Sequence, residues 1–146
     1  MAERLKAAFL DFATFGPNID RSGLDALLDV TYFDSSDPAQ IRARVRDCDV
    51  VIVNKAHVGA EAIGAAGRLK LVALTGTGTD NVDLAAATQR GIAVANTRGY
   101  CTAALTQHVF ALILALTQQI QGYDALVRAG AWQKSSTFAL FDFPIR

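Results

Sequence analysis

The sequence predicts an α/β domain, an open parallel five-stranded sheet with helices on both faces. Three observations carry that expectation. Short runs of apolar, often β-branched residues alternate with helical segments at βαβ spacing. The runs are apolar throughout, as strands covered on both faces are. The chain, at 146 residues, is long enough to bury one sizeable core. Together they define a sheet of flavodoxin-like type, followed by a long apolar C-terminal helix.

Each element has a local justification. Residues 6–12 (KAAFLDF) are a short apolar run ending around Asp11 and read as a buried first strand. Gly16-Pro17-Asn18 breaks the chain. Asp20 and Ser22 are candidate N-caps for a helix that sets Leu24, Leu27 and Leu28 on one face. Residues 30–33 (VTYF) form the second strand. Asp37-Pro38 opens the next helix as N-cap and first helical residue. Its buried side carries Ile41 and Val45, and Arg42, Arg44 and Arg46 form a solvated face. Val50–Val53 (VVIV) is the third strand. A helix over residues 60–66 stops at Gly67, a suitable left-handed terminator. Residues 69–74 form the fourth strand, residues 83–89 a short helix, and residues 92–95 the fifth strand. A helix then runs to about Gln121 or on to Arg128, and the tail from Trp132 is irregular.

Composition narrows the class. The apolar fraction is 51% and the formal net charge is zero. A nucleic-acid binder would show a basic excess, so a soluble globular protein is expected. Cys48 and Cys101 are the only cysteines. They have no CxxC spacing or His/Cys neighbours, which predicts no metal site, no disulfide and a cytoplasmic location. The N-terminal MAERLKAAFLDFATF lacks the apolar core and cleavage pattern of a signal peptide. The apolar run from Val109 to Leu116 is far below the ~20 residues of a membrane span.

Ligands of open parallel sheets bind beyond the carboxyl ends of the strands. Three loops meet that description: Asn54-Lys55 after the third strand, residues 75–81 after the fourth, and residues 96–102 after the fifth. The second is Thr75-Gly76-Thr77-Gly78-Thr79-Asp80-Asn81. Its Gly-x-Gly invites a dinucleotide fingerprint, but Asn81 occupies the third-glycine position and Asn96 the place of the ribose-binding acid. There is no Walker Lys-Ser/Thr pair. Two glycines still let backbone N–H groups converge on an anion, and Asp80 and Asp83 can cap the helix that follows. From these residues alone, a small-carboxylate site and a tight turn needing glycine only for geometry both stand.

A wider pattern distinguishes them. Gly76 to Leu84 (GTGTDNVDL), Arg90 to Val94 (RGIAV), Gly99 to Thr102 (GYCT) and Gln107 to Leu112 (QHVFAL) resemble, in order and spacing, the substrate-domain signature of the D-isomer-specific 2-hydroxyacid dehydrogenases. The similarity is to the glycerate dehydrogenase (hydroxypyruvate reductase) branch and covers nearly the whole chain. It implies an oxidoreductase that moves a hydride between a nicotinamide cofactor, NAD or NADP, and a small D-2-hydroxy or 2-keto acid. Residues 1–100 would then be the substrate-binding domain. Residues 101–146 would be a crossing helix and linker toward a nucleotide-binding domain that these residues do not contain, with Phe141 to Arg146 matching the segment before that domain's first strand.

By the same resemblance, Thr77 and Gly78 present backbone N–H groups to the substrate carboxylate. Asn54 and Lys55 close the pocket from the third-strand side, and Cys101 faces the substrate. Thr77 and Leu105 lie toward the cofactor. Cys101 stands where Ser is common and Thr106 where Ala is common. The family's catalytic Arg and His–Glu pair have no counterpart here, and neither His57 nor His108 replaces them. The expectation is therefore no catalytic residue, no tightly bound cofactor and an inactive isolated chain. The complete enzyme would be a homodimer, and the isolated chain would self-associate through an apolar helix. The competing expectation is a stand-alone flavodoxin-like module that binds a small carboxylate or signals. For a phosphoacceptor, Asp11 and Thr75 fit, but Asn54 replaces the required Asp and Thr97 the required Lys.

Overall fold

The structure is a computed structural model and describes residues 4–137 and 139. The chain divides into two compact units, residues 1–98 and 99–146. The first unit is a five-stranded, wholly parallel sheet in the order β2-β1-β3-β4-β5. Its strands are β1 Lys6–Phe9, β2 Asp29–Tyr32, β3 Val50–Val53, β4 Leu71–Leu74 and β5 Ala93–Asn96. Its helices are α1 Ser22–Leu27, α2 Pro38–Arg44, α3 Ala60–Ala65 and α4 Leu84–Gln89. The order reverses direction between β1 and β3, the point at which such sheets open a crevice.

Alternation along each strand sends side chains to opposite faces. Ala8, Leu10, Val51, Val53 and Val72 face Ile41, Val45, Ile63 and Ala87 of the α2–α3–α4 layer. Ala7, Phe9, Val50 and Ile52 face the other way, under Phe12, Phe15, Leu24, Leu28 and Tyr32. Phe9 meets Phe12 and Phe15 edge-on at 5.2 and 5.6 Å. Helices therefore cover both faces, as the uniformly apolar strands require. β3, central to the sheet, is buried at every position.

Several local expectations change. β1 ends at Phe9, and residues 12–14 form a short 3-10 turn because the Asp11 carboxylate is taken up by a loop described below. α1 buries its Leu24 edge with Leu28, while Leu27 is 74% exposed. The Asp20 carboxylate accepts from Ser22 N–H at 2.9 Å, yet no side chain caps α1 itself. Asp37 behaves as expected. It closes a full capping box with Gln40, with Pro38 at the first turn. Arg44 is not part of a solvated face. It stacks on Phe33 at 3.9 Å and donates to Ser35 O and Ser36 Oγ. Gly67 is no left-handed terminator. Its N–H donates to Arg46 O, and left-handed glycines stand instead at Gly91, φ 66° after α4, and at Gly99 and Gly130.

The second unit holds α5 Thr102–Thr117, α6 Ile120–Arg128 and α7 Ala131–Lys134. The expected single long helix is broken at Gln119, which sits at φ 52°, and the two pieces bend by 58°. α7 replaces part of the tail expected to be irregular. Among the described residues, no single helix is long and apolar enough to cross a membrane. The linker-like segment Phe141 to Arg146 lies outside the described residues.

Candidate carboxylate site at the strand ends

The site is built at the carboxyl ends of β1, β3 and β4. After β3 the backbone of Asn54, Lys55 and Ala56 curls around the carboxylate of Asp11, which is 4% exposed. Oδ1 accepts from Asn54 N–H at 2.9 Å, and Oδ2 accepts from Lys55 N–H and from Ala56 N–H at 2.7 Å. The Asn54 side chain donates to Thr14 Oγ1 at 2.9 Å. The curled loop turns two carbonyls toward the Gly-rich turn. Asn81 Nδ2 donates to Asn54 O at 3.3 Å and to Ala56 O at 3.0 Å. Val58 then pairs with Val82 in an isolated parallel bridge.

The Gly-rich turn is held from its other side by the loop after β5. Thr77 Oγ1 donates to Thr97 O, and Asn96 Nδ2 donates to Thr77 O, both at 2.8 Å. Asp83 caps α4 by accepting from Ala86 N–H at 2.9 Å. Asp80 makes no such cap. Its carboxylate folds back toward Gly78, 2.9 Å from where a Cβ on Gly78 would stand. Gly78 therefore leaves room that any side chain would take. Thr77 and Gly78 are exposed. Among the described residues, no protein group accepts a hydrogen bond from either N–H. Lys55 is exposed as well, and its ammonium pairs with no carboxylate among the described residues.

Of the residues singled out from sequence, the structure brings Asn54, Lys55, Thr77 and Gly78 to one end of the sheet. Cys101 and Leu105 belong to the second unit. Cys101 is a half-buried free thiol before the first turn of α5, and Leu105 is 60% exposed on that helix. An open cavity of about 400 Å³ lies at the β1/β3 crevice, lined by Asp11, Thr14, Asp34, Ser36 and Lys55 among others. His57 is exposed and lines a separate pocket of about 270 Å³ with Arg42 and Glu61. No three His, Cys, Asp or Glu side chains gather as a metal site among the described residues.

Two builders of the site were missed. In the sequence Asp11 reads as the end of a strand and as an acid that would fit a phosphoacceptor, and Asn81 as a lost glycine within the family-like motif, with no role in building the site for either. An acid closing an otherwise apolar buried strand was the available signal for Asp11. For Asn81 there was none, because its partners lie 25 and 27 residues away.

The turn does not fit a dinucleotide pyrophosphate. Asn81 occupies the close-packing position with its carboxamide committed to two carbonyls. The helix after it, α4, has only six residues. What the turn offers is two adjacent N–H donors of the size of one carboxylate.

A parallel sheet of order 2-1-3-4-5 with its loops gathered at the carboxyl ends of the strands defines an α/β domain of flavodoxin-like type. The chain belongs to the D-isomer specific 2-hydroxyacid dehydrogenase family, whose catalytic-domain model matches residues 11–137. It is 36% identical over 135 residues to the glycerate dehydrogenase of Methylorubrum extorquens, covering 87% of this chain and 43% of that protein. It is 28% identical over 145 residues to the hydroxypyruvate reductase of Blautia hydrogenotrophica, covering 97% and 45%. Among solved structures, a 2-hydroxyacid dehydrogenase from Ketogulonicigenium vulgare superimposes with a TM-score of 0.80 at 28% identity, over 99% of this chain and 45% of that one. The NAD+-bound 3-phosphoglycerate dehydrogenase of Entamoeba histolytica shares the fold, with a TM-score of 0.68 at 22% identity, over 80% and 40%. The chain spans less than half the length of the curated relatives it matches.

Proposed function

We propose that this chain is the substrate-binding part of an NAD(P)-dependent oxidoreductase acting on a small D-2-hydroxy acid or 2-keto acid of the glycerate/hydroxypyruvate kind. The observation that carries this is the pair of unengaged N–H groups at Thr77 and Gly78, at the strand ends where the Lys55 loop also stands. A carboxylate accepting two backbone N–H bonds is held in one orientation, and a nearby ammonium adds charge attraction. Held there, a 2-keto acid has its carboxylate fixed and its neighbouring carbon facing outward. The nicotinamide cofactor supplies the hydride chemistry, and it is held by a nucleotide-binding domain outside residues 1–146. This chain's own share is to bind, orient and form one wall of the cleft.

Within that function, residues 1–100 form the substrate domain and residues 101–146 the crossing helix and linker. The roles proposed for the complete enzyme are substrate binding for Asn54 and Cys101, and cofactor binding for Thr77 and Leu105. The complete enzyme is a cytoplasmic homodimer. Residues 1–146 alone are expected to oxidise no NADH with hydroxypyruvate or glyoxylate, and robust turnover would contradict the assignment of roles.

Titration with glyoxylate, followed in backbone-amide NMR spectra, tests the binding half. The Thr77 and Gly78 amides are expected to shift and saturate. Gly78→Ala, which sets a methyl against Asp80, is expected to abolish the response. Equal shifts spread over the whole surface, unchanged in that variant, would sink the proposal.

A further inference from the structure

We propose that Asp11 is the positioning residue of this site: its buried carboxylate gathers the N–H groups of Asn54, Lys55 and Ala56, and so sets where Lys55 and the Thr77–Gly78 turn stand. The inference rests on the carboxylate-binding function proposed above.

The chemistry of the cluster carries it. Asp11 is 4% exposed, and among the described residues no Lys, Arg or His pairs with it. Its charge is met by backbone alone. A buried carboxylate is costly unless hydrogen bonds satisfy its oxygens. Here three consecutive N–H groups do so. Three neighbouring N–H dipoles aimed at one point repel each other when no anion lies between them. With the carboxylate removed, the loop has reason to uncurl.

The curl has a second effect. It turns Asn54 O and Ala56 O toward the carboxamide of Asn81, the last residue of the Gly-rich turn. One carboxylate thus shapes the Lys55 loop directly and braces the carboxylate-binding turn through it. Asp11 touches no proposed ligand atom itself. It lies 43 residues before Asn54, so nothing local to the loop duplicates its hold. A neutral side chain of similar size would tie down one or two of these N–H groups, and only an ionised carboxylate attracts all three.

The test uses the full 146-residue chain as wild type, Asp11→Ala, Asp11→Asn, and Val45→Ala as a destabilised control remote from the site. The probe is glyoxylate, read at the Thr77 and Gly78 amides, with amide hydrogen exchange measured in parallel. Asp11→Asn keeps size and one acceptor oxygen but turns an NH2 group onto the gathered donors. Both Asp11 variants are expected to bind glyoxylate about tenfold more weakly, the scale of losing charge-assisted hydrogen bonds. Exchange is expected to accelerate at Asn54, Lys55 and Ala56 while Val51 and Val72 stay protected. Val45→Ala is expected to speed exchange globally and leave glyoxylate affinity within about twofold, as separate sites allow. Unchanged affinity in the Asp11 variants, or an equal loss in Val45→Ala, overturns the positioning role and leaves the carboxylate site intact. Should Asp11→Ala fail to fold, Asp11→Asn alone decides. A wild-type chain whose Thr77 and Gly78 amides ignore glyoxylate overturns both proposals.

Discussion

Asp49 is 1% exposed and pairs with two surface cations, Arg68 and Lys70, each at 3.2 Å. Its carboxylate also accepts the N–H of Lys6 at 3.1 Å, and its own N–H donates to Lys6 O at 2.8 Å. One side chain thereby ties together the beginnings of β1, β3 and β4. The Lys6 N–H bond, with Lys70 and Arg68 behind it, holds the Asp49 carboxyl below its ordinary value of 3.8, against the opposing effect of burial. The sign follows. As pH falls below about 4, the unfolded chain protonates this carboxyl before the folded one does, so the stability it contributes is present above that value and is lost as pH drops through the folded value. Urea unfolding from pH 6 to pH 3 is expected to show a falling midpoint that Asp49→Asn flattens. An identical slope in the variant would assign the loss to other carboxyls. Cys48 shows the opposite environment. Burial, then the charges of Asp47 and Asp49, push its thiol upward, so it is the less reactive form that the fold favours.

At the scale of elements, the legible parts were those specified by neighbouring residues. Asp37, Pro38 and Gln40 sit within one turn, and the start of α2 followed from them directly. Asp37→Ala removes the capping box and is expected to cost about 1 kcal/mol of stability, read as a lower urea midpoint with unchanged slope. No change would show that Pro38 suffices to start the helix. VVIV defined β3 to the residue because an uninterrupted β-branched run has one way to be buried. The parts that were not legible depend on distant partners. The end of β1 could not be read from KAAFLDF, because what turns the chain there is a loop 43 residues on. The Gly-rich turn was legible as a glycine pattern, while the residues that hold it, Asp11 and Asn81, were not. The break at Gln119 had no local herald. Residues 109–116 continue the apolar pattern evenly, and a glutamine at φ 52° is an uncommon way to end it.

At the scale of the molecule, α5 has no buried residue. Leu105, Val109, Phe110, Leu112, Ile113, Leu114 and Leu116 are all between 46% and 72% exposed. Apolar surface of that extent drives association. Sedimentation velocity is expected to show mass rising with concentration for residues 1–146, and Phe110→Ser with Leu114→Ser to lower it. A single monomer boundary at high concentration would remove this surface from consideration. The open sheet edges at β2 and β5 are short, four residues each, which limits edge pairing as the rival cause.

The wholly parallel sheet also sets a time at which the site can exist. Parallel neighbours require a crossover, so no hairpin is available as a fast local nucleus. β1 is made first but waits for β3, and Asp11 meets Asn54 only after 43 residues of chain have been looped back. The loop around Asp11 is therefore expected to be acquired late, together with β1–β3 docking. In pulse-labelled refolding, the Lys55 and Ala56 amides should gain protection no earlier than Val51. Earlier protection would mean that the loop folds on its own and recruits the first strand afterwards. A chain still being synthesised would have no proposed carboxylate site until Thr77 and Gly78, beyond its fourth strand, have emerged.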